Sequence, residues 1–531
     1  MGVVLGIDYG MSETKVSYVD ENGKLKHICS SYGTETTPSA VYLSPDDVYY
    51  VGRAAFEEGT YDPENLVINS KCRLGYNDYT FDVGNKSYTA SDILTTILKR
   101  VVRDAEEQLD GVPIDGAVLS CPAYFNDPAR RSLQEAAESV VLSNGQELAF
   151  KGLVDDPVAT VISYCEEILP SHSEGIDKTF LVYDLGCSFD ATVVRVKFSR
   201  DEKKIYILGT GGDHQFGVPN WVHIVKGFII DRSCAEMGVD PGDMWADPDM
   251  RPWLQETAEK VLHVLIRRNS TVVTVGYDGE RVKVEITRDD LFDGIEPYIG
   301  IAISNVDYAL NESHRTIYDI DEILVVGGGA RLPYVYESLT MEYGRPIVVL
   351  DSLHVVADGA ALVGASIICD VNVDRIGNGD EEKEITISDI QGMMMGLPIS
   401  SFKAYYIGVG DSPAYYRMID EYVPLPAQHS ELFMTEKDDQ TEFVIRIYEA
   451  WGEPGTEDGE AYEVYEPLSV PLDPGLPKGS LVQVSFKVGE DGIVEVKVTD
   501  TTHGIITTVH PMRKHLNDSD SLDDLSLFDI R

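Results

Sequence analysis

Residues 3–10, VVLGIDYG, and residues 180–186, FLVYDLG, decide the reading of this chain. Each is a short apolar strand that breaks at an Asp-x-Gly tripeptide. Lys15 to Val19 follows the first break as a second strand, and Asn22-Gly23 is a hairpin turn into a third. The second unit repeats the pattern, with Phe180 to Tyr183 as strand, Asp184-Leu185-Gly186 as break and Ala191 to Val196 as the next strand. Ser91 to Glu107 and Asp127 to Val141 lie between them and carry apolar residues at three- and four-residue spacing, the mark of amphipathic helices. Asp127-Pro128 supplies a cap and a first-turn proline. A further strand, Glu322 to Val326, runs into Gly327-Gly328-Gly329-Ala330-Arg331. Strands alternating with helices predict two related α/β lobes, reaching to about residue 372.

The pattern then changes. Gly377-Asn378-Gly379-Asp380-Glu381-Glu382 is a polar, turn-rich boundary. Beyond it Val482, Val484, Phe486 and Val488 alternate with polar residues, Asp491-Gly492 turns the chain, and Val494, Val496 and Val498 continue the alternation. That is a half-buried antiparallel hairpin. The expected organisation is an α/β region over 1–372, a linker over 373–386, an all-β domain over 387–512 and an acidic tail over 513–531.

Composition narrows the partners. The formal charge of −47 and the pI near 4.4 make a surface that repels phosphate backbones and anionic lipid, which argues against nucleic-acid and membrane-surface roles. The bland reading of that charge is a soluble acidic surface; the alternative is adaptation to high internal salt. The seven cysteines are scattered singly, without the close pairs of metal or redox motifs. The N-terminus lacks a basic region and a long apolar run, so a reduced cytoplasmic location is expected.

A strand ending in Asp-x-Gly exposes backbone N–H groups, and two such turns can cradle a polyphosphate. Asp8 and Asp184 would then face Mg2+, which prefers carboxylates and retained waters. One such tripeptide alone means little, because they end strands everywhere. Two in matched contexts, with the glycine turn at 327–329, favour a nucleotide.

The stretches LGIDYG, TTPSAVYL, SKCRLG, CPAYFNDPARR, VYDLG and VVGGGARLP occur in the order and at close to the spacing of the seventy-kilodalton heat-shock (DnaK-type) chaperones. LFMTEKDDQTEFVIRIYE and VSFKVGEDGIVEVKVTD resemble the family's peptide-binding sandwich. The resemblance covers nearly the whole chain and implies an α/β actin-like ATPase domain with RNase H-like duplicated lobes, followed by an all-β sandwich. It implies ATP or ADP with Mg2+, K+ as a further cation, extended or unfolded peptides as ligands, and co-chaperones as partners. The family's C-terminal helical lid has no counterpart in the sequence given.

Carried over position by position, the resemblance puts Lys71 on the lysine that points at the γ-phosphate, where its charge would offset that of the transferring phosphoryl group. Asp184 and Asp156 join it as catalytic candidates, and Asp8 and Asp184 are the metal candidates, through water. Gly10, Met11, Ser12, Gly186, Ser188 and Asp190 fall around the phosphates and cations. Glu259, Gly327, Gly328, Gly329 and Arg331 fall on the adenosine pocket. Pro122, Arg130 and Asp389 match an interdomain relay. Leu397, Ile399, Phe433, Phe443 and Ile445 match the peptide pocket, with Phe443 where a small valine is usual. Without the resemblance, Lys71 reads as a solvated lysine, Pro122 as a strand end, and the five pocket residues as core.

The departures point one way. Met11 and Ser12 stand where the family has two threonines. DLGCSFD is one residue shorter than the family's loop and places Cys187 where backbone should approach phosphate. Leu262 and His263 replace a Lys-Arg pair, and Asp156 replaces a glutamate. The linker Ile385-Thr386-Ile387-Ser388-Asp389 has hydroxyls where the family has leucines. The expectation is an ATP-binding chaperone with slow hydrolysis and weak interdomain coupling. The alternative is a nucleotide-insensitive holdase or scaffold with a vestigial cleft. A sugar kinase on the same fold would leave the sandwich unexplained.

Overall fold

The computed structural model describes residues 2–44, 48–59, 62–76, 79–83, 86–123, 125, 127–168, 176–198, 203–213, 216–247, 250–350, 353–376, 404–410, 414–420, 423, 425–451, 460–463, 465–472, 474–489, 492–501, 503, 505–509 and 511. It divides into two compact units, the first from residues 1–177, 195–208 and 354–520, the second from 178–194 and 209–353.

The first unit begins with β1 (Val3–Tyr9), whose residues are all buried, as expected for a central strand covered on both faces. It runs antiparallel to β2 (Glu13–Val19), which pairs with β3 (Leu25–His27) through the predicted Asn22-Gly23 turn. On its other side β1 runs parallel to β4 (Ile114–Cys121), and β4 runs parallel to β5 (Phe150–Asp155). The parallel pairs need crossovers, and helices supply them. Helix α1 (Ala90–Leu109) opens on a Thr89/Asp92 capping box and buries Ile93, Leu94, Ile97, Leu98, Val101 and Val102, the three- and four-residue spacing read from the sequence. Helix α2 (Asp127–Glu138) stops short of the expected Val141. There the chain reverses instead, with Leu142 N–H bonded to Gln146 O (2.8 Å) and Val141 bridging Glu147. The Ser143-Asn144-Gly145 turn wins over helical periodicity, and Val141 is left exposed. Helix α3 (Asp156–Ile168) starts directly from the end of β5.

The second unit is centred on a five-stranded sheet. Strands β6 (Ile176–Leu185), β7 (Phe189–Phe198) and β8 (Lys203–Asp213) form a meander. Helices α4 (Val218–Met237) and α5 (Met250–Leu265), the hairpin β9 (Ser270–Tyr277) and β10 (Glu280–Thr287), and helix α6 (Arg288–Glu312) follow. The chain returns to the sheet as β11 (Glu322–Val326), parallel to β6, then passes through α7 (Pro333–Tyr343) around the edge strand β12 (Ile347–Val349). The sheet order is β8-β7-β6-β11-β12.

Helix α8 (Val355–Ile376) belongs to the first unit, where it packs on β1 and α3. It approaches so closely that a Cβ on Gly6 would lie 2.1 Å from Ala361 N, so only glycine is accommodated at that point of β1. The β-rich part follows. One sheet carries β13 (Ala404–Val409), β14 (Tyr416–Ile419), β16 (Glu442–Trp451), β17 (Glu460–Glu463) and β18 (Leu468–Pro471). The other has the order β15 (Ala427–Met434), β19 (Leu481–Val488), β20 (Val494–Asp500), β21 (Ile505–Val509). The alternating valines and Phe486 of β19 and β20 all point into a shared core with Ile407, Phe443, Ile445 and Ile447 from the first sheet. Helix α8 runs four residues into the expected linker, to Ile376, and the rest of the linker, with Asp389, and the pocket candidates Leu397 and Ile399 lie outside the described residues.

Candidate functional site

The first unit gathers a charged cluster at the C-terminal ends of β1, β4 and β5. Asp8, next to last in β1, lies beside Ser120 of β4 and opposite Lys15 of β2. Lys15 Nζ donates to Asp8 Oδ2 at 2.9 Å. Burial opposes ionisation of Asp8, but Lys15, Lys71 and His354 together outweigh it and hold the carboxyl below its ordinary range. A 3-10 turn over Ser70–Arg73, entered from Asn69 at φ 57°, presents Lys71. The Tyr9 hydroxyl, 2.6 Å from Ser70 Oγ, ties this turn to the end of β1. Lys71 is buried rather than solvated, with Nζ 3.9 Å from Asp156 Oδ2 and 5.8 Å from the Phe125 ring centroid.

Asp156 is the first residue of α3. Its place at a helix N-terminus favours charge, yet burial raises its carboxyl to about 6 against the pull of Lys71, with Asp8 adding repulsion. Among the described residues its buried Oδ1 has no hydrogen-bond partner, and neither has Ser120 Oγ. The site therefore offers one poised carboxylate, one buried cation and a second, firmly ionised carboxylate.

Arg130 on α2 is buried and held by Asp155 Oδ1 at 2.6 Å, Phe125 O at 2.9 Å and Ala123 O at 3.4 Å. Burial works against its charge, and Asp155 more than restores it. Pro122 O, just before, accepts Phe125 N–H at 3.0 Å. Gly492 and Val494, leading into and starting β20, lie against this helix. Arg131 Nη2 donates to Val494 O, and a Cβ on Gly492 would lie 3.2 Å from Arg130 Cδ. Of the relay candidates, Arg130 thus lies against the residues leading into β20.

In the second unit the parallel register sets Asp184 beside Val326. Gly327 follows at φ +90°, where a Cβ would meet Leu185 O at 2.4 Å and Asp184 Oδ1 at 2.7 Å, so glycine is required here by the turn itself. Gly329 likewise packs on Leu185, whereas a Cβ on Gly328 would meet nothing within 4 Å. Gly186 N–H is bonded to Ser188 O at 3.0 Å and Gly186 O accepts from Val218 N at 2.8 Å. Its backbone is already used within the shortened loop, which also holds Cys187 against Gly217. Asp190 abuts Gly212, and Glu259 on α5 accepts from Gln255 Nε2 at 2.6 Å. Arg331 ends a 3-10 turn after the glycines. In the first unit Gly10 is similarly committed, N–H to Glu13 O (3.1 Å) and O to the Ser39 hydroxyl (2.7 Å), while Met11 is partly buried and Ser12 is exposed.

In the sandwich, Phe433, Phe443 and Ile445 converge on one core, with the two phenyl rings 6.1 Å apart and Tyr416 edge-on to Phe433 at 4.9 Å. Reading the sequence did not single out Lys15, Ser120, Asp155 or Ile407. Lys15 was accessible from strand pairing across the first break. Ser120 and Asp155 announce nothing in isolation, because only the parallel register puts them beside Asp8 and Cys121. Among the described residues no group of three metal-ligating side chains is gathered, and no helix is long and apolar enough to cross a membrane.

The family model for the Hsp70 protein matches residues 4–84 and 77–526. The chaperone protein DnaK of Halobacterium salinarum is 27% identical over 94% of this chain and 73% of its own length. Those of Thermosipho africanus and Thermotoga maritima are each 26% identical over 94% of this chain, and over 78% and 79% of their own. With mixed α/β sheets leading into a β-sandwich and a match spanning nearly its whole length, the chain belongs to the Hsp70 family.

Proposed function

We propose that this protein is an ATP-binding molecular chaperone that holds extended apolar peptide segments, hydrolyses ATP slowly and couples its nucleotide state weakly to peptide release. The observation that carries the reading is the buried Lys71 between Phe125 and Asp156, with the ionised Asp8 in the same cluster. A lysine is buried at that cost when an anion is to be met there.

The residues fit Mg-ATP in part. Asp156 Oδ1, without a partner among the described residues, and a glycine turn open at Gly328 suit water and adenosine. Asp8 and Asp184 would hold the metal through water, Asp190 would serve a potassium ion, and Glu259 with Gly327, Gly328, Gly329 and Arg331 would hold the adenosine. Bound Mg2+ would neutralise phosphate charge. Lys71 then offsets charge on the γ-phosphoryl group while Asp156 orients the attacking water and takes its proton.

Slow hydrolysis follows from the committed backbone of Gly10 and Gly186, from Cys187 in the shortened loop, and from an Asp156 carboxyl that is one methylene shorter than the family's glutamate. The same committed backbone favours the second reading, a nucleotide-insensitive holdase. For coupling, the Arg131–Val494 contact offers a route that does not depend on the linker. Co-chaperones and unfolded proteins are the partners this reading implies, in the cytoplasm.

Calorimetry with Mg-ATP, followed by single-turnover hydrolysis, tests the proposal. Measurable heat with slow turnover, lost in Lys71→Ala, is expected. No heat and no thermal shift at millimolar ATP would leave the holdase reading in place.

A further inference from the structure

The mechanism above uses Lys71, Asp8 and Asp156 but leaves unexplained a buried hydroxyl in their midst. Ser120 is on β4 in register with Asp8 on one side and Val154 on the other, two residues before the start of α3. It is fully buried. Its Oγ faces the Asp156 carboxylate closely enough to favour the charged form. That contact falls outside ordinary hydrogen-bond geometry, and among the described residues neither Ser120 Oγ nor Asp156 Oδ1 has another partner, whereas Asp156 Oδ2 is turned to Lys71. Two adjacent buried polar atoms left open in this way are rare in folded proteins and call for a shared partner. A single water fits both, since it can donate to Asp156 Oδ1 and accept from the Ser120 hydroxyl.

We infer that Ser120 is a positioning residue for hydrolysis, holding the attacking water against Asp156 Oδ1. The inference rests on the ATPase reading above. In the step, the water oxygen forms its bond to the γ-phosphorus as the bond to the bridging oxygen breaks. That electron pair leaves with ADP, and the water proton passes to Asp156 Oδ1. The aspartate, shorter than a glutamate, leaves a gap that a fixed hydroxyl on the neighbouring strand fills. Ser120 thus sets where the water sits.

A useful contrast lies on the same sheet. Ser17 on β2 is also fully buried, with no partner for its Oγ among the described residues, but its register neighbours are Gly6 and His27. Losing that hydroxyl probes the sheet alone.

The test is single-turnover hydrolysis of pre-bound Mg-ATP by the full chain, with ATP affinity measured alongside. Ser120→Ala should slow hydrolysis by about fivefold or more while the Kd stays within about twofold. Ser120→Thr should keep the wild-type rate, and Ser17→Ala should change neither quantity. Should Ser120→Ala fold poorly, Ser120→Cys keeps the volume with a much weaker donor and should show the same loss. A smaller loss in rate, a parallel loss of rate and affinity, or equal slowing by Ser120→Thr would overturn the role. A wild type that binds Mg-ATP and never hydrolyses it would overturn both this role and the ATPase reading. A hydrolysing wild type indifferent to Ser120→Ala would overturn this role alone.

Discussion

Asp156 is where burial and function pull apart. Its carboxyl titrates near 6 in the fold against an ordinary 3.8, because burial disfavours its charge more than Lys71 favours it. The folded state therefore binds this proton more tightly than the unfolded chain does. Stability from this group is full below pH ~4, declines as pH rises between ~4 and ~6, and is lost above. Two pH units correspond to about 3 kcal/mol. Asp156→Asn removes the penalty, so in nucleotide-free protein it should stabilise relative to wild type at pH 7 by up to about 3 kcal/mol, and by nothing near pH 4. Hydrolysis should meanwhile fall on the order of a hundredfold. Denaturant melts at the two pH values check the first part, and a pH-independent difference would refute it. Lys71 itself shows what single residues conceal. In sequence it is one lysine among many, and only the 3-10 turn pinned by Tyr9 to Ser70 makes it a buried cation.

The same scale governs the proposed peptide pocket, whose described residues lie in the sandwich core. Phe443 is almost fully buried against Phe433. Phe443→Val should cost about 2–4 kcal/mol of stability while admitting a larger apolar side chain. Fluorescent peptides containing leucine should then bind several-fold more tightly. Unchanged affinity, with Ile445→Asp folding and binding normally, would place the pocket elsewhere.

At the scale of elements, the strands and main helices were legible because their periods, two and 3.6, are written in consecutive residues. The alternation of Val482 to Val498 became β19 and β20 with every expected side chain buried. The end of α2 was not legible, since the Ser143-Asn144-Gly145 reversal competes with a pattern that continues to Val141. Nor could the seating of Gly492 and Val494 on α2 be read, because it pairs residues more than 350 positions apart. That contact is one charge-assisted hydrogen bond, worth about 1.5–3 kcal/mol at most. Arg131→Ala should loosen the seat without unfolding either part. Hydrogen exchange should quicken at residues 492–494 and stay unchanged in the core strand β4. Unaltered exchange at the turn would mean that the contact holds nothing.

At the scale of the molecule, the −47 charge and the Hsp70 family membership bound the partners, and the coupling energy bounds the behaviour. Coupling between sites typically amounts to about 1–3 kcal/mol. On the proposed reading it is weak, because the linker lacks the family's leucines and the contact of Arg131 with Val494 is a single hydrogen bond. The direct measurement is the dissociation rate of a fluorescent extended peptide from the full chain, with saturating Mg-ATP and with Mg-ADP. The account predicts that the peptide binds in both and that ATP speeds its release by less than about tenfold, or roughly 1.4 kcal/mol. No binding of apolar peptide, or a larger acceleration, would contradict it.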